Sequence, residues 1–350
     1  MLADVSLLRI AGLVLGILLA ASGVRRMARS GSGSRVPGAV RVAAGLGLLI
    51  VAAFPDLVRP LQGVLGLEGA PLGRLVTVLI VGVAACFLLV LYALGRVERA
   101  SQRVGHLVRS LAAAQLAAPA GERWGGVLVC IPAYDEAASL AAVLAEVPAF
   151  VADQPVHVLV IDDGSSDGTV AVARAAGAHV VSHPVNSGQG AALQTGYLVA
   201  ERVGADVVVT MDADGQHDPA QLPLLVAPIL ENRADFVVGS RRLGESEGDS
   251  GARNAGITVY TRLLNALGGT AISDIANGYR AIRASMLPAL AFTEDQFHNP
   301  ELLLGAARGG FRVTEVPVTI RRRSAGSSKK GGTLRYGVGF LRVMLKTWLR

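Results

Sequence analysis

Asp212 and Asp214 stand one residue apart, directly after the run Val207-Val208-Val209-Thr210-Met211. The run is apolar and β-branched, the pattern of a buried strand. A strand that delivers Asp-x-Asp into a loop sets hard oxygen ligands at the carboxyl edge of a sheet, where open α/β sheets bind their ligands. Two such carboxylates suit Mg2+ or Mn2+ that also holds a diphosphate. Gly215-Gln216-His217-Asp218-Pro219 closes the loop. Asp218 and Pro219 have a plainer task there, as N-cap and first residue of the next helix. That task leaves Asp212 and Asp214 unexplained, and a pair of this kind gains weight only from its surroundings.

Those surroundings are strands that end in polar clusters. Residues 127–131 read as a short apolar strand leading into Pro132-Ala133-Tyr134-Asp135-Glu136, followed by an Ala/Leu-rich helix to about residue 149. Residues 156–161 read as a second strand, ending in Asp162-Asp163-Gly164-Ser165-Ser166-Asp167-Gly168-Thr169. A further helix and strand run to residue 180, and Asn186-Ser187-Gly188-Gln189-Gly190 opens a helix over 191–203. The Asp-x-Asp strand covers 206–211. Strands alternating with helices predict an α/β fold with a mostly parallel sheet and right-handed crossovers. Asp163 could accept hydrogen bonds from a base or ribose, and Tyr134 could pack on the base. Gly188 and Gly190 let the backbone approach a ligand, and the helix they open favours anions at its N-terminus. The spacing is not that of the G-x-G-x-x-G dinucleotide fingerprint. Each cluster alone reads more readily as a turn with a helix cap; together they converge on one sheet edge.

A second character precedes this domain. The chain has 350 residues, 51% apolar and 17% charged, and the apolar ones concentrate before residue 95. Residues 7–24, 36–58 and 75–94 each approach the ~20 residues needed to cross a bilayer, which predicts about three spans. Arg25, Arg26, Arg29 and Arg35 follow the first span, and Arg96, Arg99, Arg103 and Arg109 follow the third. With three spans both groups fall on one side, the cytoplasmic one, together with everything from residue 96 on. Residues 96–117 read as an amphipathic helix and 118–126 as a linker. The net charge of +6 suits anionic surfaces or substrates; few aromatics and no basic recognition motif argue against nucleic acid. Cys86 and Cys130 fall in an apolar span and a buried strand, which disfavours a disulfide. From residue 321 to 350 there are Lys and Arg but no Asp or Glu, with Leu334, Val338, Leu341, Met344, Leu345 and Leu349 near helical spacing. This is either a helix lying on an anionic leaflet or one packed on the domain. Residues 243–251, rich in Gly, Ser and Glu, read as a loop over the site.

Seven motifs in order carry a resemblance. They are Ile-Pro-Ala-Tyr-Asp-Glu (131–136), Ile-Asp-Asp-Gly-Ser-Ser-Asp-Gly-Thr (161–169), Asn-Ser-Gly-Gln-Gly-Ala (186–191), Asp-Ala-Asp-Gly-Gln-His-Asp-Pro (212–219), Val-Gly-Ser-Arg (238–241), Asp-Ile-Ala-Asn-Gly-Tyr-Arg (274–280) and Arg-Ser-Ala-Gly-Ser-Ser-Lys (323–329). With them, residues 126–330 resemble a family 2 glycosyltransferase of the GT-A fold, in the branch of dolichol-phosphate mannosyltransferases and polyprenyl-phosphate glycosyltransferases. The resemblance implies that Pro132, Tyr134, Glu136, Ile161 and Asp163 hold the nucleotide. It implies Asp212 and Asp214 as metal ligands, Mg2+ or Mn2+, with Ala213 and Gln216 beside the diphosphate. Arg241 and Arg253 would face the phosphates or the acceptor, and Arg323 and Lys329 would close over the leaving diphosphate. Asp214, Arg241 and Asp274 would carry the catalysis, Asp274 as base or positioning group. Two departures are visible: Asp135 replaces a common Asn, and Asn277-Gly278-Tyr279 replaces a more usual Ser/Cys-Gly-Phe.

The domains expected are a membrane domain (1–95), an amphipathic helix and linker (96–125), a GT-A catalytic domain (126–330) and a basic amphipathic helix (331–350). The reaction expected is inverting transfer of a hexose from a GDP- or UDP-sugar to polyprenyl phosphate, in the cell membrane, with room for a homo-oligomer. A lipid phosphate needs no strong base, because its second ionisation lies near pH ~6. A sugar or glycolipid hydroxyl acceptor would need one, and a domain used as an inactive scaffold would need neither. Polysaccharide synthases would add a Gln-x-x-Arg-Trp motif, absent here.

Overall fold

The computed structural model describes residues 7–29, 36–67, 73–116, 123–246, 251–290, 292, 298–322 and 333–349. It divides into two units, Met1–Arg99 and Ala100–Arg350.

The first unit is helical. Helices α1 (Leu7–Arg29) and α2 (Val36–Ala53) form a hairpin, followed by the short α3 (Arg59–Val64) and the long α4 (Gly73–Ala114). The hairpin is close because its seam is made of small residues. A Cβ placed on Gly45 would stand 2.6 Å from the Ala20 nitrogen, and one on Gly16 2.7 Å from Leu49 Cγ. Two stretches are long and apolar enough to cross a membrane, Arg9–Ala28 and Val76–Ala114. The middle stretch expected as a span is shorter: α2 has 18 residues, about 27 Å of helix, and breaks at Phe54-Pro55. The amphipathic segment expected from residue 96 is not a separate helix. It continues the last apolar stretch within α4, since no proline interrupts Gly73–Ala114.

The second unit is a three-layer α/β sandwich. Its strands are β1 (Val127–Ala133), β2 (Phe150–Val151), β3 (Gln154–Asp162), β4 (His179–Ser182), β5 (Val207–Thr210), β6 (Phe236–Ser246), β7 (Arg280–Arg283) and β8 (Val313–Ile320). Its helices are α5 (Ala137–Glu146), α6 (Thr169–Ala175), α7 (Gln189–Val203), α8 (Leu222–Leu230), α9 (Gly251–Gly268), α10 (His298–Arg308) and α11 (Thr333–Trp348). The sheet order is β2-β3-β1-β5-β7-β6-β8, with β4 also on β3. The pairs β1/β3, β1/β5, β3/β4 and β6/β8 are parallel. β7 runs against both β5 and β6, and β2 against β3. The sheet is mixed, with four parallel pairings and three antiparallel ones among the described strands, so the expected parallel majority is narrow.

Alternation along β1 shows how both faces are filled. Val127, Val129 and Ile131 join α5, α6 and α8 in one core, and Leu128 and Cys130 join α7, α9 and α10 in the other. All five are fully buried, as continuous apolar strands require. Both cysteines are free, and burial pushes the Cys130 thiol far above its ordinary value. The loop expected over 243–251 is in part strand: β6 continues through Ser246 beyond a bulge between Ser240 and Glu245. Residues 247–250 lie outside the described ones.

The parallel pairing puts the carboxyl ends of β1, β3 and β5 side by side. β7 enters the same edge from the opposite direction, with Thr210 opposite Arg280. One turn at this edge depends on glycine. Gly164, after β3, has φ +77, and a Cβ there would stand 2.8 Å from the Val185 carbonyl carbon. Gly164→Ala should destabilise the protein by about 2 kcal/mol or more, read as a lowered midpoint in thermal unfolding of the detergent-solubilised chain.

Candidate active site

The site is built on the β5 loop. Asp212 is partly exposed, at 28% of its side chain, and Asp214 is buried. Gln189, the first residue of α7, donates Nε2 to Asp212 Oδ1 at 2.8 Å, and the Gln216 N–H donates to Asp214 Oδ1 at 3.0 Å. Among the described residues no three His, Cys, Asp or Glu gather as a metal site. A pair of carboxylates is nevertheless the donor set that suits Mg2+ or Mn2+ when phosphate oxygens complete the shell. As expected, Asp218 caps the next turn, its Oδ1 accepting the Ala220 N–H at 3.0 Å.

His217 holds this loop in shape. The Asp212 N–H donates to His217 Nδ1 at 2.9 Å, so the ring proton sits on Nε2, which donates to Asn277 Oδ1 at 3.1 Å. The Asn277 amide is fixed in turn, because its Nδ2 donates to the Gly239 carbonyl at 2.6 Å. Tyr279 stacks on the His217 ring with centroids 4.8 Å apart, and its hydroxyl donates to the Asp218 carbonyl at 2.8 Å. Asn277 and Tyr279, the ends of the Asn-Gly-Tyr departure noted in the sequence, thus both grip the Asp212–Asp218 loop. Gly278 between them is close to the pair: a Cβ there would stand 3.6 Å from Asp212 Oδ1.

Arg241 and Asp274 form the second centre. Arg241 leaves the end of the regular part of β6, and its Nε and Nη2 donate to Asp274 Oδ2 and Oδ1 at 2.7 and 2.9 Å. Asp274 is 1% exposed. Burial pushes its carboxyl up, but the Arg241 guanidinium and N–H outweigh burial and hold it below the ordinary carboxylate range. Glu315 on β8 accepts the Ser273 and Asp274 N–H groups at 2.7 and 2.9 Å. Arg280 is wholly buried beneath the loop and donates to the carbonyls of Ile275, Asn277 and Asn299. Burial lowers its pKa to about 10.

The remaining expected residues fall into three groups. Tyr134 is 36% exposed and Glu136 partly so, on the β1 loop beside β5. That loop is braced by the β3 loop: Ser165 Oγ, Thr169 Oγ1 and Asp167 Oδ2 accept the N–H groups of Asp135, Glu136 and Ala137. Asp163 has internal partners instead of an open face. It accepts the Ser187 and Gly188 N–H groups at 2.9 and 2.7 Å and meets His183 Nδ1 at 2.7 Å, so the carboxylate itself sits before the α7 N-terminus. Ile161 and Ala213 are core side chains and can offer a ligand only main chain; Pro132 is partly buried in β1, opposite Ile161. Arg253 lies in the first turn of α9, and Arg323 and Lys329 lie outside the described residues. Not singled out in the sequence were Gln189, His183, Glu315 and Arg321. The Arg321 N–H donates to the Gln216 carbonyl at 2.9 Å, and its guanidinium meets Glu146 and Asp218 at 2.7 and 2.8 Å.

Comparison with known proteins extends this reading. Residues 128–290 match the family described as glycosyl transferase family 2. The chain is 36% identical over 237 residues to the undecaprenyl-phosphate mannosyltransferase of Micrococcus luteus, covering 63% of this chain and 93% of that one. It is 34% identical over 221 residues to the polyprenol monophosphomannose synthase of Mycolicibacterium smegmatis, covering 59% and 81%. Glucosyl-3-phosphoglycerate synthase from Mycobacterium tuberculosis, solved with Mn2+, uridine diphosphate and phosphoglyceric acid, shares the fold at TM-score 0.51 and 24% identity, over 65% of this chain and 79% of that one.

Two substitutions test the internal bonds. Arg241→Leu leaves a buried carboxylate unpaired and should cost about 3–5 kcal/mol at pH 7. Asp274 is depressed in the native protein, so the pair stabilises above the unfolded carboxyl pKa and is lost as pH falls through the folded one. In the variant, protonation relieves the unpaired charge, and the gap in unfolding midpoint between the two proteins should narrow towards pH 5. Tyr279→Phe keeps the stack and removes one hydrogen bond, which should cost about 1 kcal/mol in the same assay.

Proposed function

Since the chain belongs to glycosyl transferase family 2, we propose that it moves a hexose from a nucleoside-diphosphate sugar to a polyprenyl phosphate, with inversion, at the cytoplasmic face of the cell membrane. The observation that carries this reading is the partly exposed Asp212 beside buried Asp214, at the edge where β1, β3 and β5 end. The acceptor is supported by two relatives whose names specify undecaprenyl phosphate and polyprenol monophosphomannose. Both names specify mannose, which makes GDP- and UDP-mannose the first donors to test.

Asp212 and Asp214 would hold the divalent metal. A metal bound there stabilises the charge that builds on the departing diphosphate. Gln189 orients Asp212, and the Gln216 N–H orients Asp214. Tyr134 would pack on the base. In the transfer, a lipid-phosphate oxygen bonds to the anomeric carbon as the bond from that carbon to the diphosphate oxygen breaks, and the nucleoside diphosphate leaves. The attacking phosphate is largely dianionic at pH 7, with a second ionisation near ~6, so no base is needed. Asp274 suits that requirement. Kept ionised and bidentate on Arg241, it positions the guanidinium rather than taking a proton. The long apolar stretches Arg9–Ala28 and Val76–Ala114 support a multi-pass chain in the membrane that holds the acceptor. Arg96, Arg99, Arg103 and Arg109, beyond the apolar part of α4, support placing the chain that follows on the cytoplasmic side.

The test is transfer of label from GDP- or UDP-hexoses to undecaprenyl or dolichyl phosphate by the purified chain in detergent. Label should enter the lipid phase with Mg2+ or Mn2+, disappear with a chelator, and fall by at least about 100-fold in Asp214→Ala. Release of free sugar, or transfer to a glycan while lipid phosphate stays unlabelled, would exclude this acceptor.

A further inference from the structure

The helix α11 divides its apolar residues between two directions. Val343 and Met344 are buried at 2% and 0%, and Met344 belongs to the core that contains Leu264 of α9 and Leu302 and Leu303 of α10. The rotation of the helix is fixed further by Arg308 of α10, whose Nη1 donates to the carbonyls of Thr347 and Trp348 at 3.2 and 2.5 Å. One packed face is enough to dock an amphipathic helix. Yet Leu341, Leu345, Trp348 and Leu349 are exposed at 36, 43, 45 and 76%. Their spacing of four, seven and eight residues from the first puts them in one stripe at about 100° per residue. Arg342 and Lys346 fall in the next sector, between this stripe and Val343. The segment from 321 to 350 has Lys and Arg but no Asp or Glu.

We infer that this stripe is a docking surface for an anionic lipid leaflet, into which Leu341, Leu345, Trp348 and Leu349 insert while Arg342 and Lys346 meet the phosphate head groups. Charge complementarity selects this occupant. A basic edge beside an apolar stripe fits a surface that is negative outside and apolar beneath, and a tryptophan ring prefers that boundary. A second copy of the chain fits worse: in an antiparallel two-fold contact through the stripe the two basic edges meet, and in any such contact no acidic residue of this segment answers Arg342 and Lys346. The inference rests on the membrane setting of the proposed function and not on the sugar transfer.

The chain has two tryptophans, Trp124 and Trp348. The difference in emission between the wild-type protein and Trp348→Phe therefore isolates Trp348 without disturbing Trp124. Both proteins are placed in nanodiscs of phosphatidylcholine, with or without phosphatidylglycerol, carrying brominated or plain acyl chains. The Trp348 signal should be blue-shifted and quenched at least about twofold by brominated lipid, most strongly with phosphatidylglycerol. Quenching should be lost in Leu345→Glu/Leu349→Glu, and its phosphatidylglycerol dependence should be lost in Arg342→Glu/Lys346→Glu. These side chains are outside the core, so unchanged thermal unfolding of the variants separates lost docking from lost fold. Water-like, unquenched emission in both lipids would overturn the inference. So would a blue shift that grows with protein concentration in detergent without quenching by brominated lipid, which would assign the stripe to a second copy. Equal quenching with and without phosphatidylglycerol would remove the anionic requirement. The emission does not depend on turnover, so an inactive but quenched protein would count against the proposed transfer alone.

Discussion

The imidazole of His217 is the constraint from which the site takes its shape. Its Nδ1 receives the main-chain N–H of Asp212, and its Nε2–H is received by Asn277. A loop that ends a buried strand has main-chain donors that no sheet neighbour can satisfy, and leaving one unmet in a buried site costs about 1–3 kcal/mol. The histidine meets that need and links β5 to the Asp274–Tyr279 segment, which also touches the β5 strand and loop through Tyr279 and the Thr210–Gly278 bond. The orientation of Asp212 is therefore set from both sides, by Gln189 at the carboxylate and by His217 at the main chain.

Beneath the second centre the structure buries charge that only mutual satisfaction makes tolerable. Asp274 is nearly inaccessible, and its two oxygens are taken by one guanidinium. Among the described residues no carboxylate is in hydrogen-bond contact with Arg280; three carbonyls of the surrounding loops and the face of Phe236 accept its charge. Buried ions held this way are weak evidence for stability and better evidence for fixed geometry. Here they rigidify a stretch of irregular chain, Asp274–Tyr279, that lies against the Asp212–Asp218 loop.

How much of this was legible in the sequence follows from the range of each interaction. The runs of β1, β3 and β5 were readable because the stretches leading to their carboxyl ends are buried on both faces and so are largely apolar. The cap at Asp218 was readable because its partner is two residues away. β7, Arg280–Arg283, carries no apolar run, and its place between β5 and β6 is set by pairing across more than forty residues, so the mixed character of the sheet was hidden. The Arg241–Asp274 pair spans 33 positions, and Glu315 reaches its partners across 41 and 42. The motifs marked loops that the fold brings to one sheet edge, but the internal occupation of Asp163 by Ser187, Gly188 and His183 belongs to the folded chain alone. The continuity of α4 was missed for the opposite reason: the change from apolar to amphipathic pattern reads as a boundary, although nothing in the backbone breaks there.

β8 has a consequence for how such a chain can change over generations. Glu315, near its start, holds Ser273 and Asp274, while Ile320 bridges to His217 and the next N–H, of Arg321, meets Gln216. The two halves of the site thus share one strand as a ruler. Side chains alternate across a strand, so gaining or losing a single residue between Glu315 and Ile320 turns one end to the opposite face while the other stays in place. Lineages can lengthen or shorten the loops around this sheet with little effect on the site, but the spacing within this strand admits substitution and not a change of length.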